Sequence, residues 1–226
     1  MKNSEKIAQY FDAQPDGTII AANEMYEKAF SKMTQDAFFR MLERLAADGV
    51  IIRVAKGLYA KGSDKDKNVT DMLLNYLFGE ENSEGMYIGY NLYNKYGISS
   101  VKKSTIELYS NVIKGKSFNV GNIKAKKPGV ELNFENARII EALEILQNYS
   151  DIEELNKVKF ARYARNFARG YNDEAAINCI ENMRYKKSTI AFMKKILEMY
   201  KAKNTLSQYL SYATDYKVPP VQRVAR

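Results

Sequence analysis

The sequence predicts a protein of the α+β class, and three observations lead to this prediction. Helical periodicity and a short β-branched hairpin pattern fill the first part, strand-like runs prevail in the middle, and helical periodicity returns in the last part. At 226 residues the chain is longer than the usual single domain of about 100–150 residues. We therefore expect domains at 1–63, 64–149 and 150–216, followed by a mobile tail at 217–226.

Two helices and a short strand are expected at the start of the chain. Ser4 is a plausible N-cap for an amphipathic helix over residues 4–13. The Asp16-Gly17 turn then leads into an extended stretch over residues 18–21. Asn23 can cap a second helix that ends near Phe30.

The third helix and the hairpin after it are the best-marked elements of the N-terminal domain. Thr34 offers an N-cap oxygen and Gly49 a left-handed stop, and between them an apolar face recurs at helical spacing. The run VIIRV then predicts a strand, AKG a tight turn and LYAK the returning strand. Three helices followed by a two-stranded hairpin are the order of a winged helix-turn-helix, in which the third helix enters the DNA major groove.

This arrangement makes six side chains candidates for contacts with double-stranded DNA. Arginine and glutamine on the third helix can read base edges, and cations on the hairpin can neutralise phosphates. The candidates are Gln35, Arg40 and Arg44 on the helix, and Arg53, Lys56 and Lys61 on the hairpin. Two other interpretations stay open, namely a solvated helix face and a protein-docking module.

The middle of the chain predicts a small α+β domain with a mainly antiparallel sheet. A polar linker at 63–69 leads into a helix that stops at Gly79, and MYIG and STIELYS predict strands. Two more strands are expected to join at the Lys-Lys-Pro-Gly turn, before a helix over residues 135–147. Lys126 and Glu131 lie across that turn, but no nuclease motif accompanies them, so we expect a structural sheet.

The C-terminal region predicts helices with one unusually basic face. Asn172 and Ser188 can cap the second and third of these helices. On the first helix, aromatic and alanine side chains share one face and cations the other. The cations are Lys159, Arg162, Arg165 and Arg169. We expect them either to form a second basic surface for an acidic or nucleic-acid partner, or to be a solvated face with internal ion pairs.

The distribution of charge agrees with such a surface. The net formal charge is +8, which favours an anionic partner. Positive and negative charges cancel in residues 1–64, leave an excess of +1 in 65–150, and leave +7 in 151–226. DNA binding by the N-terminal domain must therefore rely on segregated charges.

Composition excludes several classes of protein. The chain has no histidine, which removes histidine-based acid–base catalysis, Ser-His-Asp and Cys-His nucleophiles, and nearly every catalytic zinc site. We expect no enzyme, no cofactor and no metal. Cys179 is the single cysteine, which fits a reducing cytoplasm. The start lacks the apolar region of a secretory signal and no run is long enough to cross a membrane, so a cytoplasmic location is expected.

Three segments resemble one family. The run FFRMLERLAADGVIIRVAKGLYAK (38–61) resembles the N-terminal domain of AbiEi-type antitoxins of type IV (abortive infection) toxin–antitoxin systems. The segments MYIGYNLYNKYGISS (86–100) and VELNFENARIIEALEIL (130–146) are similar to parts of that family's second domain. The resemblance covers about residues 4–148, and the last 75 or so residues match none of its motifs.

The resemblance implies a function in phage defence. It implies an antitoxin that represses its own operon by binding inverted repeats in the promoter, and that counteracts a nucleotidyltransferase toxin without a stable complex. The basic helical face at 159–169 would then serve neutralisation. Two alternatives remain: a winged-helix regulator with ligand-sensing or oligomerisation domains and no toxin partner, and a nuclease that depends on Glu131.

Overall fold

The chain forms two compact units, Met1–Leu77 and Phe78–Arg226. The computed structural model describes residues 2–62 and 68–222. Most of the linker expected at 63–69 and the last four residues of the expected tail lie outside the described residues. We refer to the two parts as unit 1 and unit 2.

Unit 1 alternates helices with three short strands. Its elements are α1 (Asn3–Asp12), β1 (Ile19–Ala21), α2 (Ala22–Met25), α3 (Gln35–Ala47), β2 (Ile51–Ala55), β3 (Leu58–Lys61) and α4 (Val69–Phe78), and α2 runs on as a π-helical turn over Tyr26–Phe30. The last residue of α4 already belongs to unit 2. The expected third helix and hairpin are therefore both present.

The sheet of unit 1 is antiparallel, with the order β1-β3-β2. Ala55 pairs with Leu58, so Lys56 and Gly57 form the turn between β2 and β3, and Gly57 adopts a left-handed φ of 73°. The Ala22 amide donates to the Gly57 carbonyl at 2.9 Å. This bond ties the start of α2 to the hairpin.

The core of unit 1 lies between α1, α3 and the sheet. It contains Ile7, Phe11, Ala22, Met25, Phe38, Leu42, Leu45, Ile51 and Tyr59. Gly49 follows the end of α3 with a φ of 72°, as its sequence position predicts. The expected capping residues were less accurate: Lys2 precedes α1 in place of Ser4, and Ala21 precedes α2 in place of Asn23. Thr34 holds the N-cap position of α3 without a side-chain cap bond.

Unit 2 combines a four-stranded sheet with five α-helices among its described residues. Its elements are β4 (Gly85–Tyr87), α5 (Gly89–Lys95), β5 (Ile106–Ser110), β6 (Ser117–Val120), β7 (Ile123–Lys126), α6 (Phe134–Asn148), α7 (Lys157–Arg169), α8 (Asp173–Asn182) and α9 (Lys187–Met199), and 3-10 turns span Glu80–Asn82, Tyr149–Asp151 and Leu206–Tyr209. The chain is thus of the mixed α+β class, as predicted.

The sheet of unit 2 has the order β4-β5-β7-β6. The outer pairs, β4 with β5 and β6 with β7, are antiparallel, and the central pair β5 with β7 is parallel. The expected turn at Lys-Lys-Pro-Gly was wrong, because Val120 pairs with Ile123 and the hairpin turns at Gly121 and Asn122. The residues after β7 lead directly into α6.

Helix α6 is the centre of unit 2. Eight of its residues are buried, and its apolar side chains share one core with residues of α5, α7, α8 and α9. The boundary expected at residue 149 falls inside this continuous core. Asn172 caps α8 as expected, since its side chain accepts from the Ala175 amide at 3.1 Å, whereas Lys186 rather than Ser188 precedes α9.

The described part of the tail, 217–222, has no regular secondary structure, yet Val218 and Val221 pack partly against the core of unit 2. Within residues 2–62 and 68–222, none of the helices has both the length and the apolar character needed to span a bilayer.

Candidate nucleic-acid interface and a basic cavity

The outward face of α3 is polar and carries charges of both signs, Asp36 and Glu43 beside two arginines. Phe38, Leu42 and Leu45 anchor the opposite face in the core. Gln35, Arg40 and Arg44 are all exposed. Because the apolar residues recur at helical spacing, the positions opposite them on α3 point to solvent.

A wide, open depression of about 430 Å³ follows this face. Its lining residues are Thr34, Asp36, Ala37, Arg40, Met41 and Arg44. Ala37 and Met41 are half-buried and line the depression. Arg44 carries a weak ion pair, 3.8 Å from Asp48, with its side chain 84% exposed. That pair is too exposed to hold the guanidinium in place.

The hairpin brings two further cations to the surface of unit 1. Arg53 on β2 and Lys56 in the turn are exposed. Arg53 lies opposite Tyr59 in the sheet register. Burial raises the pKa of the Tyr59 hydroxyl, and the positive charge of Arg53 partly offsets that rise. Tyr59 therefore remains neutral beside the arginine.

Lys61 has a different environment from the other five candidates. Its ammonium donates to the Asp12 carbonyl at 3.1 Å and lies 3.3 Å from the Asp16 carboxylate. Its side chain is only 31% exposed. Lys61 thus joins the end of β3 to the segment after α1.

The basic face of α7 separates into two parts. Phe160, Ala164 and Phe167 are buried as expected, and Asn156 caps the helix by accepting from the Lys159 amide at 3.0 Å. Lys159 and Arg162 line a cavity of about 240 Å³, whereas Arg165 and Arg169 do not. Arg165 is half-buried and Arg169 is exposed. The four cations therefore do not form one uniform surface.

The cavity draws on three elements of unit 2. Arg138 and Glu141 come from α6, Tyr96 from the end of α5, and Tyr163 from α7. Asn166 and Phe167 complete the lining. The rings of Tyr96 and Tyr163 lie 4.6 Å apart at an interplanar angle of 55°. Packing of α5, α6 and α7 thus places three cations and two phenols around one space.

A buried carboxylate forms part of the cavity wall. Glu141 is 6% exposed and accepts from the Lys95 ammonium at 2.6 Å and the Tyr96 hydroxyl at 2.5 Å. Burial and the bond to Glu141 raise the pKa of Tyr96. Burial, with a smaller contribution from Glu141, raises the pKa of Tyr163 well above its usual value. Both phenols therefore stay protonated.

Sequence reasoning found only part of this cavity. Lys159 and Arg162 follow from the periodicity of α7. Arg138, Glu141 and Tyr96 carry no local signal, because they meet only when the helices pack.

No three His, Cys, Asp or Glu side chains cluster as a metal site within the described ranges, 2–62 and 68–222. Lys126 ends β7 and Glu131 lies beyond it, and both are exposed.

Comparisons with known proteins assign no family to the chain. No family model matches it, and no curated protein matches it. Among solved structures, the crystal structure of the RV2827C protein from Mycobacterium tuberculosis is similar, with a TM-score of 0.45 and 9% sequence identity over 86% of this chain and 76% of that one. At this low level of similarity, neither the fold nor the function of this chain is inferred from that structure.

Proposed function

We propose that this protein is a DNA-binding antitoxin and autorepressor of a type IV toxin–antitoxin operon. Unit 1 acts as a winged helix-turn-helix that binds inverted repeats in its own promoter. Unit 2 counteracts a nucleotidyltransferase toxin without forming a stable complex with it. The protein is not an enzyme and acts in the cytoplasm.

The exposed position of Arg40 and Arg44 on α3 is the observation that supports DNA binding by unit 1. Arg40 is exposed, and among the described residues it has no ion pair. An arginine without a fixed partner can form two parallel hydrogen bonds with guanine O6 and N7. The open depression beside it leaves room for a base edge.

The hairpin supports the same assignment. Arg53 and Lys56 lie on or next to β2, which directly follows α3 in the chain. In a winged helix-turn-helix such a hairpin contacts the DNA backbone while the third helix enters the major groove. Lys61 contributes less on this proposal, because its ammonium already pairs with Asp16.

The antitoxin half rests on the resemblance of residues 38–61, 86–100 and 130–146 to the AbiEi-type family. The proposed surface for neutralisation consists of Lys159, Arg162, Arg165 and Arg169.

The cavity beside α7 favours a second candidate function, a winged-helix regulator whose unit 2 senses a ligand and which has no toxin partner.

The first test is binding of the full chain to its own upstream promoter DNA, measured by fluorescence anisotropy against a scrambled duplex at several salt concentrations. We expect a preference for the promoter and an affinity that falls with salt, by a slope of about 0.9 per neutralised phosphate. Equal binding to both duplexes at every salt concentration would contradict a sequence-specific repressor.

Variants of unit 1 then separate base reading from backbone binding. Arg40→Ala or Arg44→Ala is expected to cost about 1–3 kcal/mol on the promoter and to relax specificity, because a base contact is lost. Lys56→Ala should weaken both duplexes alike and lower the salt slope by about 1. Lys6→Ala, a matched charge removal at an exposed position of α1, is the control and should change little. If both arginine variants bind the promoter as tightly as the parent does, α3 does not read bases in the major groove.

Co-expression with a neighbouring nucleotidyltransferase gene tests the proposed antitoxin activity. Rescue of growth by the full chain is expected. Absence of such a gene, or of rescue, favours the regulator without a toxin.

A further inference from the structure

The cavity beside α7 has an excess of positive charge. Arg138, Lys159 and Arg162 line it, against the single carboxylate of Glu141. That carboxylate already accepts from Lys95 and Tyr96 at 2.6 and 2.5 Å. Within residues 2–62 and 68–222, none of the three lining cations has an ion pair. Three positive charges therefore face the cavity, and its one carboxylate, Glu141, is already paired with the Lys95 ammonium.

Two of the three cations, Arg138 and Lys159, lie against glycines of neighbouring segments, and Arg162 is exposed at the cavity. The guanidinium of Arg138 packs against Gly170, and a Cβ atom added there would lie only 2.3 Å from its nitrogen. The aliphatic stem of Lys159 passes Gly97, where an added Cβ would meet its Cδ at 3.7 Å. The amide of Asn156 donates to the Ile98 carbonyl at 2.8 Å, which holds the start of α7 beside this loop.

A neutral donor is also present. Within the described part of the chain, the Tyr163 hydroxyl has no hydrogen-bond partner, while the Tyr96 hydroxyl donates to Glu141. A phenol that stays protonated can donate to an anion. The cavity thus offers two guanidinium groups, one ammonium and one free hydroxyl.

We propose that this cavity binds the phosphoryl group of a small phosphorylated molecule. A phosphate monoester carries up to two negative charges and three terminal oxygens, which match three cations and a hydroxyl better than a carboxylate does. The volume of about 240 Å³ is below the roughly 300–1,000 Å³ typical of pockets for drug-sized ligands. The cavity therefore suits the phosphoryl group, and any larger organic part extends through its open mouth.

The test is isothermal titration of the full chain with inorganic phosphate, AMP, adenosine and acetate at constant ionic strength. Phosphate and AMP are expected to bind, and adenosine and acetate are not. Equal affinity for phosphate and AMP identifies the phosphoryl group alone as the ligand, and tighter AMP binding identifies an organic phosphate. Both results support the proposal, whereas binding of adenosine or acetate as tight as that of phosphate overturns it.

Variants of α7 distinguish the cavity from general attraction to a basic helix. Arg162→Ala removes a lining cation and should weaken phosphate about tenfold, the scale of one charge-assisted bond. Arg169→Ala removes the same charge from the same helix and should change the affinity less than about twofold, because Arg169 does not line the cavity and its charge acts only through solvent and salt. Equal weakening by both variants overturns the proposal in favour of diffuse charge attraction.

A third variant keeps every charge. Gly170→Ala forces the Arg138 guanidinium to move, and because φ at Gly170 is −110°, alanine fits the backbone there. Weaker phosphate binding with an unchanged melting temperature in the absence of ligand is expected. If both Gly170→Ala and Arg162→Ala bind phosphate as tightly as the parent does, the proposed site is wrong. The result is independent of promoter binding, which uses unit 1, so each proposal can fail without the other.

Discussion

At the scale of single residues, Asp173 shows how one carboxylate fixes two segments of unit 2. It accepts from the Thr205 hydroxyl at 2.7 Å, the Thr205 amide at 3.1 Å and the Tyr171 hydroxyl at 2.8 Å. Burial alone would raise the pKa of Asp173, but these hydrogen bonds outweigh it and hold the pKa below its usual value of 3.8. This side chain joins the start of α8 to the segment before the 3-10 turn at Leu206–Tyr209.

A depressed carboxyl pKa has a defined consequence for stability against pH. The stabilisation by Asp173 is complete above the unfolded pKa, near 3.8, and is lost as the pH falls through the lower folded value. Asp173→Asn should therefore destabilise unit 2 by about 1 kcal/mol at pH 7, the scale of a net hydrogen bond. The deficit should shrink below pH 3.8.

Urea unfolding of parent and variant at pH 7 and pH 3 measures this difference. Glu174→Gln, at the exposed neighbouring position in the same helical turn, is the control and should have little effect at either pH. An equal Asp173→Asn deficit at both values would show that the charge of the carboxylate is not what stabilises the contact.

The site residues differ in how far the sequence alone reveals them. Arg40, Arg44 and Lys159 follow from helical periodicity, because an apolar face fixes which positions point outward. The pairing of Lys61 with Asp16 and the approach of Arg138 to Gly170 do not follow. They depend on where the chain returns in space, and no local pattern encodes that distance.

At the scale of elements, local signals were reliable where several agreed. The α3 helix and the hairpin after it combine an apolar face, a left-handed glycine and a β-branched run, and all were predicted. The β6–β7 turn shows the opposite case. The sequence Lys-Lys-Pro-Gly is a stronger turn signal than Gly121-Asn122, yet the chain turns at Gly121-Asn122, where Gly121 adopts a φ of 56°. The parallel pairing of β5 with β7 joins strands that are not neighbours in the chain, so no local pattern predicts it.

The conformation of that glycine predicts a measurable cost. Gly121→Ala should destabilise unit 2 by about 1–2 kcal/mol, because a Cβ atom strains the left-handed conformation. Apart from the glycine itself and its two chain neighbours, no atom lies within 4 Å of the added Cβ, so the strain is one of local backbone conformation. Gly115→Ala is the matched control, since it also faces open space but has no left-handed φ. It should be neutral or stabilising by roughly 0.5 kcal/mol. Chemical denaturation that ranks the two variants equally would argue against the turn at Gly121.

At the scale of the whole molecule, charge and core are divided differently between the two units. Each unit has a hydrophobic core of its own. Positive and negative charges cancel in residues 1–77, so the entire net charge of +8 belongs to residues 78–226. A purely electrostatic affinity for DNA would therefore reside in unit 2, whereas base reading on the proposed function resides in unit 1.

This division predicts that affinity and selectivity can be separated by cutting the chain. Because each unit has a hydrophobic core of its own, fragments 1–77 and 78–226 should each unfold cooperatively in circular dichroism melts. Fragment 1–77 should keep the preference for the promoter over a scrambled duplex, with a shallow salt dependence because it has few free cations. Fragment 78–226 should bind both duplexes alike, and its affinity should fall steeply with salt. Promoter preference found in fragment 78–226, with none in a folded fragment 1–77, would move sequence reading to unit 2 and leave α3 and its hairpin as a protein-docking surface.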